Sequence, residues 1–467
     1  MIEYPTVAVA IVLVVVLVTA RYVSCSKRSP LEVPLEAANS SPTGGPLRVL
    51  IFTAAVGGGH EATGRSVRAE LERAGHYVVI KDGLRAMSRT LAWSLVRVYF
   101  SQARNTPQSL GAVFAITSRR GAAAAVRVIV GLLFARRLLK AIREERPDLV
   151  VSTYPLVNAA LGHLRKSGRL GVAAAAIIAD YGAHPLWVAP GMDLHLVVSG
   201  PSAELISRAG GKVCVARLPV APKFRFAPAR EPAREILGLP REAFVALIVG
   251  GAWGIGDLGE AARHAADSGA YAIVVTGNNA GLKSTLEEEF KSREDVWVLG
   301  WREDVPVLMA ASDCLLQNAG GMTCLEAIEM GLPLLIFSPL RGHGELNASI
   351  MERAGAARVA RTPEDIGPLL RSLARREASL PMPGGDPNAP TASAVLEALA
   401  GSVPRPAPGR RSKRPRLVPG GTIAVLLWLW LALTSPGMAL AAKDHRLEQA
   451  LREAHHEGLR CVPPDQL

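Results

Sequence analysis

The sequence predicts an α/β protein built from two parallel-sheet domains in tandem. Three observations carry that prediction. Short apolar runs alternate with helix-length segments from Leu47 to about residue 375, the pattern of strands buried on both faces by crossover helices. A stretch rich in proline and charge, PVAPKFRFAPAREPAREILGLPRE at 219–242, interrupts the alternation midway, as a domain boundary does. Glycine clusters follow strands in both halves, where open α/β sheets place their ligands. With 467 residues, 49% apolar and 20% charged, the chain is long enough for two cores.

Taken in order, residues 5–23 (PTVAVAIVLVVVLVTARYV) are long and apolar enough to span a bilayer. Glu3 precedes them and Arg21, Lys27 and Arg28 follow. The positive-inside bias places the N-terminus outside and the rest in the cytoplasm, so 1–23 is expected to be an uncleaved transmembrane anchor; a signal peptide would need the opposite bias. Residues 24–46 form a Pro/Ser/Gly-rich linker. The first domain, 47–222, offers the strands LRVLIFT, HYVVIKD, PDLVVST, VAAAAIIAD and LHLVVSG. Within it, residues 81–146 carry thirteen Lys/Arg against three Asp/Glu among large apolar residues. Two readings stand: a helical pair packed on the sheet, or a basic-apolar face lying on an anionic membrane surface. The second domain, 223–400, offers FVALIVGG, YAIVVTG, DVWVLG, CLLQNAG and PLLIFSP.

A basic Pro/Arg-rich linker at 401–419 contains RRSKRPR. It leads to GGTIAVLLWLWLALTSPGMALAA at 420–442, a second transmembrane segment that would leave 443–467 outside. That segment also resembles a secretion signal ending in Ala439-Leu440-Ala441, and both readings remain. The net charge of +12 calls for an anionic partner, yet aromatics are only 5% and no zinc-finger or RRM-like pattern occurs, so nucleic acid is not expected. Five scattered cysteines imply neither a disulfide framework nor a metal site.

The first glycine cluster lies in LRVLIFTAAVGGGHEATGRSVRAEL, residues 47–71. Three signatures overlap there. Gly57, Gly59 and Ala62 fit a dinucleotide fingerprint with Asp82 as its acid; Gly59, Gly64, Arg65 and Ser66 nearly form a P-loop; Gly57, Gly58, Gly59 and His60 form a turn that presents a histidine at a helix start. All three use backbone N–H groups and a helix end to favour an anion. The second cluster lies in DCLLQNAGGMTCLEAIEMGLPLLIFSPLRGHGELNA, residues 313–348. A strand is expected to end at Asn318, and Gly320 and Gly321 to turn into a helix near Thr323. Thr323 and Glu326 have the spacing of a capping box. The glycines would also let a diphosphate approach, and Glu326 could accept from a ribose diol.

GGMTCLEA, GLPLLIFSP and HGELNA together resemble the donor-binding half of glycosyltransferase family 28. VGGGHEATGRSV, PDLVVSTYP and IIADYGAHPLWVAPGMDLHLVVS resemble the family's diacylglycerol branch, which makes monogalactosyl- and glucosyl-diacylglycerol. LIVGGAWGIGDL, VTGNN and VLGWREDVPVLMAASD extend the match over about residues 47–375. The resemblance implies the GT-B fold, two facing Rossmann-like domains, and selects the glycine-histidine turn among the three readings. A P-loop needs a compact lysine that Arg65 does not replace, and a dinucleotide oxidoreductase leaves GGMTCLEA without a role. No D-x-D occurs, so a metal-dependent transferase is not expected.

By the same resemblance the donor is a UDP-sugar, UDP-galactose or UDP-glucose, and no cofactor or metal is needed. His60 is implied as general base, with Asp180 orienting it or shaping the acceptor pocket. Gly57, Gly58, Gly59, His184 and Trp187 would line the acceptor side. Gly250, Gly251, Gly254, Gly320, Gly321, Thr323, Glu326, His343 and Asn347 would hold the donor. One departure stands out: the family commonly has a Gln-Glu or His-Gln pair where this chain has Gly342-His343-Gly344-Glu345-Leu346-Asn347. Gly344 has no amide to offer a sugar hydroxyl, which leaves the sugar undetermined. The expected function is an inverting hexosyl transfer to diacylglycerol or a related membrane lipid, at the cytoplasmic face of the cell membrane. The same chemistry on a polyprenyl-linked acceptor, or a non-catalytic lipid- or nucleotide-binding membrane scaffold, are the alternatives.

Overall fold

A computed structural model describes residues 45–375 and 388–402. The two expected spans, the basic linker beyond residue 402 and the tail 443–467 lie outside the described residues. Among the described residues no helix is long and apolar enough to cross a membrane.

The first half runs β1 (Arg48–Thr53), α1 (Gly59–Arg73), β2 (Tyr77–Asp82), α2 (Gly83–Met87), α3 (Arg89–Asn105), α4 (Pro107–Ser118), α5 (Arg120–Glu145), β3 (Leu149–Ser152), α6 (Pro155–Lys166), β4 (Ala173–Ile177), β5 (Leu194–Val197), α7 (Gly200–Arg208) and β6 (Val213–Val215). The second runs α8 (Arg230–Leu237), β7 (Val245–Val249), α9 (Leu258–Asp267), β8 (Tyr271–Val275), α10 (Ala280–Glu289), β9 (Val296–Leu299), α11 (Val305–Ala311), β10 (Cys314–Gln317), α12 (Gly321–Glu329), β11 (Leu334–Phe337), α13 (His343–Arg353), β12 (Arg358–Ala360), α14 (Ile366–Ala374) and α15 (Ala392–Ser402).

Each half forms a six-stranded, wholly parallel sheet, ordered β2-β1-β3-β4-β5-β6 and β12-β11-β10-β7-β8-β9. The ten strands expected from sequence are present. The short edge strands β6 and β12 carry too few apolar residues to announce themselves. In each sheet the strand order reverses once, between β1 and β3 and between β7 and β10. Loops diverge there and open a crevice at the strands' C-terminal ends. Both glycine clusters sit at these reversals.

Residues 81–146 fold as four helices rather than a pair. α5 buries Phe134, Leu138, Leu139 and Ile142 beneath the first sheet, so the apolar half of this basic stretch is core. Asp82, the acid of the dinucleotide reading, caps α2 by accepting from the Arg85 N–H at 2.9 Å.

Two anchors fix the domain ends. Arg234, 1% exposed, donates to the Ala311 carbonyl at 2.9 Å and to Asp313 Oδ2 at 2.7 Å, locking α8 onto the second domain. α15 returns to the first domain, where its Ala392 N–H reaches the Arg217 carbonyl and its Ser393 N–H reaches Glu70. His76 completes this strap: its Nδ1 accepts from the Leu47 N–H, which leaves Nε2–H to donate to Glu397 at 3.0 Å.

Candidate active site

β1 ends at Thr53 and the chain turns through Gly57 (φ 71°) and Gly58 (φ 84°) into α1. Both glycines are left-handed, a conformation that a β-carbon would strain. His60 is therefore the second residue of α1, as the sequence predicts. The Thr153 hydroxyl, just past β3, donates to the His60 carbonyl at 3.0 Å. The imidazole meets the Tyr154 ring edge-on at 5.0 Å between centroids and the buried Trp187 at 5.9 Å. Burial lowers the His60 pKa below its ordinary 6.5, against an opposing pull from the charge of Asp180. A neutral imidazole is thus the resting form near pH 7.

Asp180, in the loop after β4, is buried and gives no hydrogen bond to His60. Its Oδ2 instead lies 2.9 Å from Nε2 of His343, the first residue of α13 in the other domain. Burial alone would raise the Asp180 pKa, but the charge and hydrogen bond of His343 outweigh it and leave it lowered; His343 is raised in return.

His184 is a wedge. Its Nδ1 accepts from the Leu186 N–H at 3.1 Å, which leaves Nε2 as the donor toward the Phe114 carbonyl and Thr117 hydroxyl, both 3.3 Å away on α4. Burial pushes its pKa down to about 4, so it stays neutral.

Across the cleft, Gly250, Gly251 and Gly254 follow β7, and a β-carbon on Gly58 would rest 3.5 Å from that of Ala252. The two glycine turns face each other. Beside them Trp253 meets Tyr99 and Phe100 of α3, closing one side of a cleft of ≈ 480 Å³ that Arg97, Asn278 and Asn279 also line.

β10 ends at Gln317, and α12 begins at Gly321 with Gly320 as its N-cap. The expected capping box is absent: Thr323 lies inside the first turn, too far along to cap it, and no side chain caps α12. Gln317 holds the turn instead, accepting from the Gly320 N–H at 2.8 Å. Ala319 adopts φ 68°, strained for a residue with a β-carbon. Asn347, fully buried, clamps that turn by donating to the Ala319 carbonyl while its Oδ1 accepts from the Gly182 N–H of the first domain at 2.8 Å. Glu326, freed from the capping role, is half-buried and pushed up to about 7 by desolvation, with Lys223 acting against it.

Asp180 and His343 thus meet each other across the cleft, and Asn347 serves both the turn and the domain contact. Thr153, Tyr154, Trp253 and Lys223 complete the site without having been singled out from sequence. The Thr-Tyr-Pro after β3 was the one available signal, since it ends a strand at the first sheet's reversal.

Residues 60–211 match the family model described as monogalactosyldiacylglycerol (MGDG) synthase. The processive diacylglycerol beta-glucosyltransferase of Bacillus subtilis is 25% identical over 339 residues, 71% of this chain and 88% of that protein; the Bacillus pumilus enzyme of the same name matches equally well. Among solved structures, a variant of Os79 from O. sativa in complex with UDP aligns with 76% of this chain and all of that one, with a TM-score of 0.50 and 14% identity. UGT89C1 from Arabidopsis thaliana, complexed with quercetin, aligns with 77% of this chain and all of that one, with a TM-score of 0.50 and 12% identity. Those two likenesses speak to the fold alone. The chain is similar in sequence to the monogalactosyldiacylglycerol synthases and to the processive diacylglycerol beta-glucosyltransferases, and it is built on the GT-B fold.

Proposed function

We propose that this chain moves a hexose, with inversion, from UDP-glucose or UDP-galactose to diacylglycerol or a related membrane lipid. The observation that supports this most is the opposition of two strand-end glycine turns. One carries a neutral imidazole and faces the Gly250–Gly251–Gly254 turn, beside which α12 begins with first-turn N–H groups that no side chain caps.

In this reading the diphosphate lies against Gly320, Gly321 and Thr323 at the start of α12, with the Gly250–Gly251–Gly254 turn beside it. Glu326 accepts from the ribose hydroxyls, and Asn347 keeps the Ala319 turn in shape. His343 faces the sugar from the start of α13. The acceptor hydroxyl enters between His60 and Trp187, on the side bounded by Gly57, Gly58, Gly59 and His184. Its oxygen bonds to the anomeric carbon as the bond from that carbon to the diphosphate oxygen breaks. His60 takes the hydroxyl proton, and the charge released on UDP is met by backbone N–H groups and the α12 dipole.

The membrane side of the proposal rests on α3–α5. Trp93 is 62% exposed with Arg97 stacked 4.8 Å over its ring, and Ile116 and Leu132 also face solvent. With the predicted anchor, this face would hold the enzyme on the cytoplasmic side of the cell membrane. A protein lacking residues 1–46 and 403–467 should therefore bind phosphatidylglycerol vesicles, and salt should release it, since exposed charges are screened beyond about 8 Å at physiological ionic strength. Equal binding to neutral vesicles would refute an electrostatic dock.

The direct test supplies membranes bearing the protein with diacylglycerol and labelled UDP-glucose or UDP-galactose, followed by lipid analysis. Labelled glycosyl-diacylglycerol from one donor is expected. Label found only on a polyprenyl carrier would move the acceptor assignment, and no transfer from either donor would remove the enzymatic reading.

A further inference from the structure

The loop after β4 of the first domain is wedged between the two elements to which the donor is assigned. A β-carbon on Gly182 would stand 2.7 Å from the Asn347 backbone nitrogen, and one on Gly321 would collide with the Asp180 carboxylate. The Asp180 carboxylate therefore lies against the first residue of α12. That helix start is the diphosphate position proposed above, on which this inference rests. The same carboxylate is held by His343, the residue assigned to face the sugar. Asp180 thus touches two donor elements at once.

We propose that Asp180 is a donor-responsive positioning residue: its carboxylate and the donor diphosphate compete for the α12 start and for His343, and donor entry releases Asp180 toward His60. The physical reasons are simple. A helix N-terminus attracts one anion, and a second anion placed beside the first is repelled in a half-buried site. No side chain caps α12, so its N–H groups favour whichever anion is present. His343 can give its Nε2 proton to one acceptor at a time. Asp180 already lies close enough for its charge to be felt at His60, and a short movement away from His343 would leave His60 as its nearest imidazole. Loading of the donor and alignment of the base would then be one event, which protects the sugar from attack before the acceptor-side machinery is set.

The alternative is that Asp180 merely holds His343 in position to grip the donor. The two accounts predict opposite signs. With UDP as the probe and calorimetry on the full chain, Asp180→Asn should bind about tenfold tighter than wild type, the order expected for lifting one like-charge contact. Its kcat should fall at least about tenfold, because the amide cannot steady a protonated His60. Tighter UDP binding with slower turnover is a split that loss of packing would not produce. Asp180→Ser should show the same split, and serves if the asparagine variant fails to fold. UDP binding that is weaker or unchanged in the folded variants would overturn the proposal while leaving the donor site in place. Failure of the wild type to bind UDP at all would remove the donor assignment itself, and this inference with it.

Discussion

His60→Ala should cut turnover by about 10²–10⁴-fold, the range over which a positioned general base contributes. UDP-sugar affinity should hardly change, because His60 belongs to the first domain and the proposed donor contacts belong to the second. The pH profile gives an independent check. The base works only when neutral, so kcat/KM should fall as pH drops through the His60 pKa. Burial has moved that pKa below 6.5, so the acid limb of the profile should lie below 6.5 and vanish in the variant. His60 also packs against Tyr154 and Trp187, so His60→Gln, which refills much of the space, should be as inactive as the alanine variant. Near-normal turnover in either would show that His60 is not the base. A nucleotide-binding role for the first glycine turn would be revealed by the reverse pattern, with affinity lost and turnover retained.

The fold was largely legible because a parallel sheet makes a loud signal. Runs such as VALIV and YAIVV are buried on both faces, so their apolar character is continuous, and glycine at the strand ends marks the crevice. Thr323 shows the limit of local patterns. The Thr-x-x-Glu spacing satisfies a capping box, but the helix begins two residues before Thr323 because Gln317 and Asn347 shape the preceding turn. Neither residue is local to the pattern. Asp180 and His343 show a second limit. They lie 163 positions apart and in different domains, and only the way the two sheets face each other makes them partners. The helices of 81–146 were ambiguous for a related reason: a basic amphipathic helix has the same sequence whether its apolar side meets a sheet or a lipid. α5 meets the sheet.

Glu326→Gln should weaken UDP-glucose binding by about 5- to 10-fold at pH 8, the loss expected when a charge-assisted acceptor of about 1.5–3 kcal/mol becomes a neutral one of about 0.5–1.5 kcal/mol. The choice of pH matters. The Glu326 pKa is pushed up to about 7 by desolvation, so near pH 6 the wild-type side chain is mostly neutral and resembles glutamine. The difference between wild type and variant should therefore be small at pH 6 and open as pH rises through about 7. Taking that difference removes the opposing trend from His343, whose pKa is raised by the charge and hydrogen bond of Asp180 and which loses its charge as pH rises. UDP-glucose is the better probe than UDP, because its diphosphate has no terminal group titrating there. Stability supplies a second, ligand-free measurement of opposite sense. The folded-state pKa lies above the ordinary glutamate value of about 4.3, so the native state keeps a proton that the unfolded chain releases. The Glu326 contribution to wild-type stability falls as pH rises from about 4.3 to 7, and glutamine removes that penalty. Glu326→Gln should thus raise Tm at pH 8 and leave it nearly unchanged at pH 4. A variant more stable yet weaker in binding at pH 8 would mark Glu326 as a carboxylate kept, at a cost to the fold, for the ribose hydroxyls. Unchanged UDP-glucose affinity at pH 8 would exclude that role, whatever the melting curve showed.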